Sequence, residues 1–144
     1  MKKLDKKKII HFTKIKDPFL MIDKIENIVN LKSATGIKYI KKNSWFFKCH
    51  FINGPVMPGT LIEESILQTI VASLYSSKRF KDKICLITSA KTNFYNKIEK
   101  PTILKIYIKI LKITNLKVET SGIVKNKKNV KIADGNYNYF ISKK

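Results

Sequence analysis

Cysteine, acidic residues, arginine and long apolar runs are all scarce in this chain of 144 residues. Two cysteines, Cys49 and Cys85, provide neither a disulfide framework nor a metal-ligand spacing, so a reduced, cytoplasmic setting is expected. Ten acidic residues face thirty basic ones, a formal net charge of +20. Such a field attracts acidic partners. Only one basic residue, Arg79, is arginine, the side chain that reads bases and grips phosphate bidentately. The lysines are spread along the chain, many at every second position, as on solvated strand faces. A lysine-rich compositional bias therefore accounts for most of the charge, and a nucleic-acid reader is a distant reading. No apolar run approaches the ~18 residues that span a bilayer. The basic N-terminus is followed by no long apolar segment and no small-residue cleavage site, so it does not read as a signal peptide.

Hydrophobic residues nevertheless make up 44% of the chain, enough for a real core. The length suits one domain over 1–144, with residues 1–10 as a basic lead that could form a short helix. An apolar extended stretch is expected from Phe19 to about Val29, and a second strand from Ala34 to Ile40. Thr60 to about Leu74 carries a helical pattern, apolar around most of its circumference, which predicts a buried helix. Beyond it Leu104, Ile106, Ile108 and Ile110 alternate with Lys105, Tyr107 and Lys109, the period of a half-buried strand. Further strands are expected over Ile84 to Phe94, around Val118 to Val124, over Val130 to Ile132, and from Tyr137 to Ile141. Strands on both sides of one buried helix indicate an α+β fold.

The chemistry concentrates between Cys49 and Gln68. One of only two histidines, His50, precedes a loop containing Pro55, Pro58 and Gly59. A helix follows, with carboxylates at Glu63 and Glu64 and an amide at Gln68. Imidazole and carboxylate are the pair needed to take a proton from one carbon and release hydroxide from the next. The free amides of a helix starting at Pro58-Gly59 could hold a carbonyl oxygen that gains negative charge. Glu64 and Gln68 are four apart and share a face, whereas Glu63 points about 100° away. Adjacent positions in an extended segment face opposite ways, which argues against a Cys49–His50 dyad. His11, just after the basic lead, is expected at the surface.

His50-Phe51, Pro55-Val56-Met57-Pro58-Gly59, Leu61-Ile62, Glu64 and Gln68 together resemble the signature of the FabZ-type β-hydroxyacyl-acyl carrier protein dehydratases. Pro18-Phe19-Leu20-Met21-Ile22-Asp23 is similar to that family's opening strand, and Asn93-Phe94 lies where it continues. The resemblance implies a hot-dog fold, a curved antiparallel sheet wrapped around one long central helix. It implies a homodimer, often assembled into a hexamer as a trimer of dimers, with the histidine (His50) and the carboxylate (Glu64) of one site supplied by different subunits. The fixed spacing between these two selects Glu64 over Glu63. Gly59 and Gln68 are implied in substrate binding and positioning, and Phe51, Val56 and Met57, with Trp45, Phe46 and Phe47, in lining an acyl tunnel. No metal or redox cofactor is implied, because the substrate arrives on the phosphopantetheine arm of an acyl carrier protein. Lys78, Arg79 and Lys81 are candidates to steer that acidic carrier. Cys49, the Ile52-Asn53-Gly54 loop, Lys16-Asp17 before Pro18, and Glu99-Lys100-Pro101-Thr102 depart from the family pattern without removing a catalytic residue. A hot-dog thioesterase and a non-catalytic carrier-binding subunit are the competing readings, and the retained His50-to-Glu64 spacing weighs against both.

Overall fold

The structure, a computed structural model, describes residues 2–144. Its centre is the expected helix, here α2 over Gly59–Tyr75, after a shorter α1 over Lys6–Thr13. Seven strands surround it: β1 Lys2–Leu4, β2 Lys24–Val29, β3 Ser33–Ile40, β4 Lys83–Phe94, β5 Thr102–Ile113, β6 Lys117–Lys125 and β7 Lys131–Lys143. They form one antiparallel sheet in the order β1-β2-β3-β5-β6-β7-β4. The strand that directly follows the helix therefore lies at one edge, and the later strands fill the middle.

Helix burial follows from composition. Ten residues of α2 are buried, among them Leu61, Ile62, Ile66, Ile70 and Leu74, and the helix packs against both β3 and β5. Each fully buried side chain of this size contributes roughly 1.5–3 kcal/mol. Two glycines set how closely the sheet approaches. A Cβ on Gly36 would fall on the Thr69 side chain, and one on Gly122 would fall on Ile66. Leu104, Ile106 and Ile108 of β5 point inward beneath the helix, while Lys105, Tyr107 and Lys109 face out. Among the described residues no helix is long and apolar enough to cross a membrane.

Two expectations need correction and one needs extension. The basic lead holds the short helix expected of it, as α1, together with a strand: Leu4 and Ile9 are buried, β1 pairs with β2, and the Asp5 carboxylate caps α1 by accepting from the Lys8 amide at 2.8 Å. Three residues of β1 are too few to leave a periodic signal, and the lysines conceal the two buried side chains. The stretch from Phe19 becomes a strand only at Lys24, although Leu20, Met21 and Ile22 are all buried. Its backbone partners lie partly on a side chain of α2, as described below. Finally, the two short strands expected around Ile132 and Tyr137 are one continuous strand, β7.

Candidate active site

His50 follows a 3₁₀ turn over Trp45–Lys48, and its amide donates to the Phe46 carbonyl at 3.0 Å. Its imidazole Nδ1 lies 2.8 Å from the Val56 carbonyl, and the Val56 amide donates back to the His50 carbonyl at 2.8 Å. A carbonyl oxygen can only accept, so Nδ1 carries a proton, and in the neutral imidazole the lone pair is on Nε2. The Phe51 ring lies against the imidazole, tilted by 33° at a centroid distance of 3.6 Å. Between these anchors, Phe51 and Gly54 exchange amide-to-carbonyl bonds of 2.8 and 3.2 Å, closing a tight loop.

Beside His50 opens a cleft of about 300 Å³ lined by His50, Val56, Met57, Gly59, Ile62 and Phe94, with Tyr95 to Lys97 on its rim. Pro58 precedes α2 without a side-chain cap, and among the described residues the Gly59 and Thr60 amides have no acceptor. The free, positive end of the helix thus stands at the cleft wall. Phe94 lies so close that a Cβ on Gly59 would meet its ring at 3.2 and 3.3 Å. Phe51 instead lines a neighbouring hollow with Ile52, Asn53 and Gly54. Phe46 is buried in the core, and Trp45 donates its indole N–H to the Pro18 carbonyl at 3.0 Å. Neither lines the cleft, nor does Phe47, which packs against the core. Lys78, Arg79 and Lys81 follow the C-terminus of α2, about 25 Å along the helix axis from Gly59.

Glu64 and Gln68 meet as expected: Gln68 Nε2 donates to Glu64 Oε1 at 2.9 Å. The same Nε2 donates to the Phe19 carbonyl at 2.9 Å, while Gln68 Oε1 accepts from the Met21 amide at 2.7 Å. One buried side-chain amide thus stands in for a neighbouring strand. Burial pushes the Glu64 carboxyl above its ordinary range, the Gln68 hydrogen bond opposes this, and the charge of Glu63 adds to it. No hydrogen bond joins His50 to Glu64 within the chain, and α2 presents Ile62 rather than Glu64 to the His50 cleft.

Sequence reasoning missed one wall of the cleft and one contact of its helix. Phe94 was noted for resemblance but not as a wall of the cleft. Glu63 was set aside, yet it accepts a hydrogen bond from Thr92, which in turn bonds Tyr137. A second carboxylate in a helix with no lysine was the available signal.

The family model of the FabA-like domain matches residues 15–137. The 3-hydroxyacyl-[acyl-carrier-protein] dehydratase FabZ of Clostridium botulinum strain Hall is 39% identical over 97 residues, 67% of this chain and 67% of that protein. The FabZ of Clostridium novyi strain NT is 38% identical over 97 residues, 67% of this chain and 68% of its own length. A crystal structure of a hypothetical thioesterase with coenzyme A from Streptococcus pneumoniae TIGR4 superposes with a TM-score of 0.64 at 10% identity, covering 83% of this chain and 87% of that one. At that identity the likeness speaks for the fold alone. The fold is an α+β hot dog, and the chain belongs to the FabA-like family. Within that family it is of the FabZ type.

Proposed function

We propose that this protein dehydrates 3-hydroxyacyl thioesters, carried on acyl carrier protein, to trans-2-enoyl thioesters in fatty acid biosynthesis. The observation that carries the reading is His50. Its Nδ1 is tied to Val56, its bare Nε2 is left as a base, and it stands in one cleft with the uncapped start of α2. The thioester carbonyl accepts from the Gly59 amide and is polarised by the helix end. His50 Nε2 takes the proton as the C2–H bond breaks. The C3–O bond breaks next, and the hydroxyl leaves as water with a proton from Glu64. Burial suits Glu64 to that acid role, and Gln68 holds it. Val56 and Met57 are read as walls for the acyl chain, and Phe51 as support for the imidazole. This sequence of bonds calls on no metal or redox group.

Because His50 and Glu64 do not meet within one chain, we read the working unit as a homodimer in which each site takes one residue from each copy. Edge strand β4, twelve residues long with Leu86 and Ile87 exposed, supports pairing with a second copy. A cytoplasmic location and assembly into a trimer of dimers belong to the same reading.

The test is turnover of 3-hydroxyacyl and trans-2-enoyl thioesters on acyl carrier protein, followed by the ultraviolet band of the conjugated product. His50→Ala and Glu64→Gln should each abolish turnover. Refolding the two variants together should restore about a quarter of the wild-type rate, because random pairing makes half the dimers heterodimers with one intact site. A folded wild type without dehydratase activity would overturn the proposal, and release of free thiol instead would favour a thioesterase.

A further inference from the structure

At its C-terminal end α2 borders a second hollow, of about 610 Å³ against about 300 Å³ for the His50 cleft. Parts of α1, α2, the 3₁₀ turn over Lys78–Phe80 and the start of β4 surround it. Such a volume lies within the range that takes a small organic ligand. The floor is apolar, formed by Phe12, Tyr75, Phe80 and Ile84. Its walls are tied down by hydrogen bonds. The Cys85 amide donates to the Tyr75 phenol oxygen at 2.8 Å, the Phe80 amide to the Ser77 carbonyl at 3.1 Å, and the Lys144 amide to the Asp82 carbonyl at 3.2 Å. The rim is cationic: Lys14, Lys78, Lys81 and Lys83 stand around it, with His11 beside them. Among the described residues none of these four lysines is ion-paired. Asp82 is the one acidic side chain on the lining, and Lys144 brings an ammonium and a terminal carboxylate that offset each other.

We propose that this hollow binds a free amphipathic anion, a single-chain molecule with an apolar body and one anionic head. The two parts are matched by different residues. The aromatic and aliphatic floor takes the body out of water, and each methylene fully buried there strengthens binding about fourfold. The unpaired lysines set a positive field at the mouth, and four ammonium groups against one aspartate leave an excess for the head to neutralise. Arg79 does not line the hollow, so the rim offers point charges and no planar fork. A single carboxylate or sulfate head suits such a rim. The inference concerns the end of α2 remote from Gly59 and shares no residue with the His50 cleft, so it does not rest on the dehydratase reading.

The experiment titrates decanoate, kept below its micelle-forming concentration, into the full-length protein labelled with carbon-13 at the isoleucine methyl groups. Ile84 reports the hollow and Ile62 the His50 cleft, each resonance assigned by its Ile→Val variant. The Ile84 methyl should shift and saturate with decanoate. Neutral 1-decanol should bind about tenfold more weakly, and acetate, a head without a body, should leave Ile84 unmoved. Lys78→Glu combined with Lys81→Glu alters only exposed side chains and should weaken decanoate at Ile84 at least about tenfold, with the Ile62 response unchanged. An Ile84 methyl that does not respond, or a response confined to Ile62, would overturn the proposal. So would equal binding of decanoate and decanol, or a double variant that binds as tightly as wild type. Capture of the protein by phosphatidylglycerol vesicles while decanoate leaves Ile84 unmoved would also overturn it, and would assign the lysines to a membrane surface.

Discussion

Replacing Gln68 by leucine should cost both the fold and the site, and the size of the loss can be worked out beforehand. The amide makes three bonds: it accepts from the Met21 amide at 2.7 Å and donates to the Phe19 carbonyl and to Glu64, each at 2.9 Å. Met21 is 1% exposed, so its N–H would be stranded away from water, a loss of roughly 1–3 kcal/mol. Phe19 is half-exposed and Glu64 is partly so, and water can replace those bonds at about 0.5 kcal/mol each. The sum is roughly 2–4 kcal/mol. For 144 residues the unfolding entropy is about 0.3 kcal/mol per kelvin, so the melting temperature should fall by roughly 6–13 °C. Circular-dichroism melts read this directly. Glu64→Gln is the control, because it keeps the tie between Gln68 and the 19–21 segment and should not show this drop. Turnover of the leucine variant, measured well below its melting point, should fall about tenfold or more as Glu64 loses its anchor. A melt within about 2 °C of wild type would refute the claim that this amide holds the segment.

Further predictions concern the cleft, pH and packing. Gly59→Ala should leave the melting temperature within about 3 °C, because half-exposed Phe94 can swing away, yet kcat/KM should fall about tenfold as the cleft wall moves; full turnover would remove Gly59 and Phe94 from the site. Burial raises the Glu64 carboxyl above its ordinary value of 4.5, so the folded protein binds more protons than the unfolded chain just above that pH. Its stabilising contribution is complete below pH 4.5 and is lost as pH rises through the folded value. Urea melts of Glu64→Gln should therefore show an advantage over wild type that grows from pH 4.5 to pH 8, and a constant gap would refute this. Gly36→Ala should destabilise by about 1–3 kcal/mol through overpacking against Thr69, and adding Thr69→Ala should recover at least half, as a double-mutant cycle would record.

The parts legible from sequence were those that obey a period or a spacing. α2 exceeds the expected span by one residue at each end, and β5 extends the expected alternation over 104–110 to Thr102–Ile113, since one side of each packs into a single core. The pairing of Glu64 with Gln68 followed from helix geometry alone. What escaped depends on contacts between elements distant in sequence. The 19–23 stretch is apolar enough for a strand, but its hydrogen bonds go partly to a helix side chain 47 and 49 residues away, and no local pattern encodes that. The same holds for the Tyr137–Thr92–Glu63 relay, assembled from β7, β4 and α2. The aromatic cluster before His50 misled in a different way, because hydrophobicity does not distinguish a core residue such as Phe46 from a cleft wall such as Phe94.

The reciprocal bonds between His50 and Val56 separate the imidazole, the proposed base, from the loop they enclose. Ile52, at 99% exposure, touches almost nothing, so the tip of that loop can be rewritten without retuning the base behind it. The departures from the family pattern at Ile52-Asn53-Gly54 therefore fall in the part of the loop that the His50–Val56 pairing sets apart from the imidazole.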